Sequence, residues 1–142
     1  MQLRLLVAAA CLALPSVAQA GPAADAVARF YASPGTELKP EMRRYFTDPA
    51  RDVLDREEAT GAGCVPTGFA VDVPGHDAAE LKRTLELRES VQGDGAIVMA
   101  YFRLSGEQRA IEWTLSRQGR SWLVADVMSL QGGWRLSDLP CG

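Results

Sequence analysis

The 142 residues contain one histidine, three cysteines and only two lysines among fifteen basic side chains. A single imidazole with so few thiols cannot supply a closed zinc set, so no metal site is expected. No Gly-x-Ser-x-Gly elbow, Walker loop or dinucleotide fingerprint occurs, and no cofactor is expected either. Basic excess is also missing. Eighteen acids against fifteen bases give a formal charge of −3, which argues against nucleic acid and anionic membrane as partners. No apolar run reaches the roughly 20 residues of a membrane-spanning helix; Leu5–Leu14 has ten, broken by Pro15.

That short run sits in a recognisable context. Arg4 gives a positive start, and Ala18-Gln19-Ala20 places small residues before Gly21. Together these three parts predict a secretory signal cleaved after Ala20, and a periplasmic or secreted protein without stable membrane insertion. Cys11 raises the alternative of a lipoprotein cysteine. The position three before it lacks a large apolar residue, and the apolar core continues past it through Leu12 and Leu14. Cleavage after Ala20 removes Arg4 alone from the charge count, leaving fourteen bases against eighteen acids and a net charge of −4. Such a surface suits a cationic partner.

Cys64 and Cys141 are the cysteines beyond the expected signal. In an exported domain two cysteines are expected to pair, tying the C-terminus to mid-chain. For a loop of this length the chain-entropy model gives about 4–5 kcal/mol of stabilisation.

The remaining 122 residues (21–142) are the size of one domain, and their pattern changes midway. Val27, Phe30 and Tyr31 predict an amphipathic helix over Pro22–Ala32. Met42, Tyr45 and Phe46 predict a second over Pro40–Phe46, with the aromatics in the core and Arg43 and Arg44 outside. Asp48-Pro49 opens a third, Asp48 as its cap, ended by Thr60-Gly61-Ala62-Gly63. Residues 61–77 are irregular, and Asp77 is placed to cap a single turn. Four strand-like runs follow: Arg83–Val91, Ala96–Leu104, Arg109–Arg117 and Ser121–Ser129. Their short glycine-containing linkers predict an antiparallel meander. Ile97–Leu104 is apolar on both faces and therefore central, whereas Ile111, Trp113 and Leu115 alternate with polar residues. The tail around Trp134 is expected to be a short turn held by Cys141. The fold class is α+β: N-terminal helices packed on a curved antiparallel sheet of about four strands.

The closing strand, Gly119-Arg120-Ser121-Trp122-Leu123-Val124-Ala125-Asp126-Val127, resembles the Gly-x-Trp-x-Ile-x-Asp-Val strand of the nuclear transport factor 2-like (cystatin-like) superfamily. Asp72-Val73-Pro74-Gly75-His76-Asp77 is similar to an aspartate-rich segment in one branch, a family of exported bacterial domains of unknown function. The resemblance implies a cone-shaped fold with a pocket between helices and sheet. It implies no single activity, because the superfamily hosts isomerases, dehydratases, transport adaptors and inert binders.

Asp126 is the leading site candidate. On a regular strand it shares a face with Trp122, Val124 and Met128, where desolvation raises a carboxylate's pKa and prepares it for acid–base work. The opposing reading is a strand-end carboxylate paired with an arginine, and a β-bulge would reverse its face. Trp113, Trp122, Val124 and Asp126 are the candidate pocket residues, with Tyr101 and His76 as polar companions. Tyr101 shares its strand face with Ile97, Met99 and Arg103, a face equally suited to packing or a dimer seam. The leading expectation is a non-enzymatic exported binding domain. Its partner is either a protein, as for an inhibitor or immunity-type protein, or a small apolar ligand in the cone. The alternatives are a small isomerase or hydrolase using Asp126 with Tyr101 or His76, and an envelope-associated homodimer.

Overall fold

The computed structural model describes residues 20–73 and 75–141. The expected signal segment lies almost entirely outside the described residues, and its cleavage is not addressed by them. Helix α1 (Pro22–Ala32) is followed by a 3-10 helix (Pro40–Tyr45), α2 (Ala50–Thr60) and α3 (Ala78–Thr84). Five strands then run in sequence: β1 (Glu86–Gln92), β2 (Gly95–Leu104), β3 (Glu107–Gln118), β4 (Ser121–Ser129) and β5 (Trp134–Arg135). They form one antiparallel meander in the order β1-β2-β3-β4-β5. The fold is α+β, with its helices gathered against a single sheet.

Alternation along the strands decides which face is covered. Ala96, Val98, Ala100, Phe102 and Leu104 of β2 are buried, and Ile111, Trp113 and Leu115 of β3 join them. Cross-strand register puts these on one face, Val98 opposite Trp113 and Ala100 opposite Ile111. Phe30 of α1 stacks on Trp113 with ring centroids 4.9 Å apart, while Tyr31 lies edge-on at 5.9 Å and accepts the indole N–H at 3.0 Å. Burial holds the Tyr31 phenol far above its ordinary pKa, against the opposing pull of that hydrogen bond. Phe46 and Phe69 close the cluster. Phe30, Phe46, Phe69, Phe102 and Trp113 are each at most 1% exposed. Aromatic side chains therefore fill the space between helices and sheet.

Four sequence expectations change in detail. The tail adds a fifth strand, β5, and a 3-10 turn (Leu136–Asp138) in place of a simple turn. The segment over Arg83–Val91 splits, because Asp77 accepts from Ala79 and Glu80 N–H and α3 runs on through Thr84. β1 accordingly starts at Glu86. The Pro40 segment is a 3-10 helix with three residues per turn, which sets Arg43 and Phe46 on the same side. Arg43 is thus buried rather than outside, pairing with Asp55 at 3.0 Å and Glu58 at 3.2 Å on α2. Arg44 remains exposed as expected. At α2, Pro49 rather than Asp48 occupies the cap position, and no side chain caps the helix.

The start of α1 borrows its cap from the sheet. Glu89 of β1 accepts the Ala24 N–H at 2.8 Å, satisfying one of the open N-terminal donors. Gly21 allows this, since a Cβ there would overlap the Glu89 carboxylate. Gly21→Ala is expected to displace Glu89 and cost about 1 kcal/mol in chemical denaturation, a loss that Glu89→Ala in the same protein should largely absorb.

Candidate functional site

The four last-strand and core candidates part company at one residue. Thr114 of β3 pairs with Asp126, but Leu115 pairs with Val124, leaving Ala125 as a bulge in β4. Val124 and Val127 both enter the core, while Asp126 shares the opposite face with Thr114 and Met128. The expectation that Asp126 keeps company with Trp122 and Val124 is corrected by this register slip. Trp113 and Val124 are packed inside at 0% and 1% exposure, and Trp122 stands half-buried at the surface.

Asp126 is nonetheless buried, because the tail folds over it. Its Oδ1 accepts the backbone N–H of Val127 at 2.9 Å and of Ser137 at 3.0 Å. Its Oδ2 accepts the Ser137 hydroxyl at 2.6 Å and Arg135 Nη1 at 3.3 Å. Arg135 also reaches Glu112 at 3.6 Å. Burial opposes its charge, and the bonds and charges of Asp126 and Glu112 outweigh that, raising its pKa. With both oxygens occupied, the carboxylate works as a clamp for the segment after β5. Tyr101 is four register positions away along β3, at its pairing with Ala110. At about 3.3 Å per residue that is roughly 13 Å along the strand alone. Arg88 lies over the Tyr101 ring at 5.2 Å. His76 sits elsewhere, on the rim of a 510 Å³ surface cavity lined by Tyr31, Pro34 and Leu81. The structure does not bring Asp126, Tyr101 and His76 together.

The paired cysteines do meet. Cys64 and Cys141 form a disulfide with Cα atoms 5.5 Å apart across a sequence separation of 77. Glu57 at the end of α2 orders the loop beside it, accepting N–H groups from Gly63, Cys64 and Val65 at 2.8, 2.8 and 3.3 Å. Glu57, Cys64 and Cys141 stand close enough to hold an ion, but both thiols are spent in the disulfide.

Two acids escaped sequence reasoning. Asp72 adopts a left-handed backbone, φ 56°, and receives the Ser129 hydroxyl and the Trp134 indole N–H, the latter at 2.7 Å. It pins the irregular loop to the turn between β4 and β5; the aspartate-rich segment around it was the available signal. Glu37 is fully buried, with Oε1 accepting Ala70 N–H at 3.3 Å and Oε2 unpartnered. Its surroundings, Gly-Thr-Glu-Leu, give no hint of burial. Desolvation raises its pKa, opposed by backbone hydrogen bonds and by the charge of His76.

No family model matches the chain, and no curated protein matches it significantly. Among solved structures, it is similar to a chain of the type VI native effector-immunity complex Tae3-Tai3 from Ralstonia pickettii. The TM-score is 0.58 at 20% identity, covering 79% of this chain and 97% of that one. The selenomethionine form of the same complex gives a TM-score of 0.57 at 22% identity, covering 78% and 97%. At this identity the likeness is one of fold.

Two outcomes follow from this geometry. Asp126→Ala leaves the Ser137 and Arg135 donors without their acceptor and should lower stability by about 2–3 kcal/mol in urea unfolding. A variant within about 0.5 kcal/mol of the parent would remove the clamp. For Glu37, the folded state holds its proton more tightly than the unfolded chain, so its contribution turns unfavourable as pH climbs above the ordinary carboxylate range. Glu37→Gln should therefore gain on the parent in thermal melts as pH rises from about 4 through the raised pKa of the folded state, and keep a constant lead above it.

Proposed function

We propose that this chain is an exported, non-enzymatic interaction domain of the immunity type, which engages a protein partner through the uncovered face of its sheet. The observation that carries the reading is that face itself. Among the described residues the helices gather on the side of Trp113, leaving Ile97, Met99, Tyr101 and Thr114 on the other. Ile97 is 45% exposed, and a 330 Å³ depression beside it, bordered by Ser90 and Thr114, offers room for a partner's side chain. Four strands at about 4.8 Å spacing and roughly 25–30 Å long make a patch of several hundred Å². That is a large share of the ~800 Å² each partner buries in a standard interface.

The fold likeness to a chain of an effector-immunity complex supports a protein as the partner. The disulfide supports an oxidising compartment outside the cytoplasm. The aromatic filling of the interior weighs against a small apolar ligand in the cone, and the separation of Asp126, Tyr101 and His76 weighs against the isomerase or hydrolase reading. Helices before a curved meander support kinship with the nuclear transport factor 2-like superfamily. A second copy on the same face is the rival occupant, which sedimentation as a monomer at micromolar concentration would dispose of.

Candidate effectors from the same genome, directed to the periplasm with and without this protein, provide the test. Relief of growth arrest and a stoichiometric complex in size-exclusion chromatography are expected for the cognate one. Ile97→Asp should weaken that complex by about 100-fold, as a central hot spot does, with an unchanged melting temperature. Arrest caused by this protein itself, or neither rescue nor complex across the set, would overturn the reading.

A further inference from the structure

The acidic chain carries a basic cleft on the side of α1. A 570 Å³ concavity is lined by Pro22, Asp25, Ala26 and Arg29 of α1, by Arg44 and Tyr45 of the 3-10 helix, and by Arg120, Ser121, Trp122 and Leu123 around the β3–β4 turn. Three guanidinium groups face it against one carboxylate, in a protein whose net charge is −3. Among the described residues none of Arg29, Arg44 and Arg120 forms an ion pair. Arg29 donates only to the Ala26 carbonyl and Arg44 to the Tyr45 hydroxyl, at 2.9 and 2.8 Å. Most of their donors are left facing solvent.

The Tyr45 ring holds two of these cations, Arg29 and Arg44. The Arg29 and Arg44 guanidinium carbons lie 3.9 and 4.9 Å from the Tyr45 ring centroid, and Arg117 lies 5.7 Å from that of Trp122. Arg117 is itself neutralised by Asp94. The Arg44 hydrogen bond, with help from Arg29, lowers the Tyr45 phenol's pKa, as a positive surrounding requires. Guanidinium groups stacked on rings are pre-ordered, so less side-chain entropy is lost when they pair with an anion.

We propose that this cleft binds an acidic peptide segment of a protein partner, with side-chain carboxylates meeting Arg29, Arg44 and Arg120. The charges come from three separate elements, which suits carboxylates spaced along an extended chain better than one compact oxyanion. Tyr45, Trp122 and Leu123 supply apolar contact for the methylenes between those carboxylates. The site is distinct from the Ile97 face and does not rest on it.

The test is an amide and indole chemical-shift titration of the full protein from residue 21 onward. Deca-glutamate is expected to shift the Trp122 indole and the 44–45 and 120–123 amides saturably, with affinity rising as salt is lowered. Deca-glutamine should shift none of them. Arg44→Glu with Arg120→Glu should weaken deca-glutamate binding at least tenfold at an unchanged melting temperature, while Ile97→Asp leaves it intact. Inorganic phosphate binding the same resonances as tightly as deca-glutamate would replace the peptide assignment with a small-anion site. No saturable shift at about 1 mM peptide in low salt would overturn the proposal.

Discussion

The stack of Phe30 on Trp113 is the contact on which the rest of the arrangement depends. It sets α1 across the middle of the sheet, and the indole's N–H, which would be costly to bury alone, finds Tyr31 on the same helix. Once α1 lies there, Tyr31 meets Phe102 and Phe46 and Phe69 fill the flanks. One face of the sheet is then fully used. The other is left to solvent around Ile97 and covered by the tail at Asp126, and the polar work of the molecule moves to its perimeter.

At that perimeter, carboxylates act repeatedly as backbone acceptors. Glu89 receives the start of α1, Glu57 the loop after α2, Glu80 the β2–β3 turn through Ser105 and Gly106, and Asp126 the tail. A charged acceptor on a backbone donor is stronger than its neutral equivalent. Glu89 and Glu80 join segments distant in sequence, Asp126 holds the tail, and Glu57 closes the loop next to its own helix. Part of the chain's negative charge is therefore architectural.

The reach of the sequence differs along the chain for physical reasons. Val27, Phe30 and Tyr31 repeat at helical spacing, and α1 spans the expected Pro22–Ala32. Ser121–Ser129 is likewise bounded by its turns as expected. Arg43 departs from its expected place because its segment turns every three residues and not every 3.6. Asp126 departs from its expected face because one unpaired alanine reverses every later side chain of a strand, and Ala125 carries no mark of a bulge. Glu37 is the extreme case. Its burial arises from two loops, around Gly35 and Ala70, closing on each other, and no local pattern encodes such a meeting. The Cys64–Cys141 pair was readable because its logic is chemical and needs no geometry.

That disulfide has a topological side. All five strands lie between Cys64 and Cys141, so the sheet is enclosed in one covalent ring. A protease that cuts any one hairpin turn opens the ring but frees no fragment. The two new ends stay joined through sulfur and held by the ladder on either side. Under proteolysis, a single nick there becomes a change of connectivity with no loss of mass.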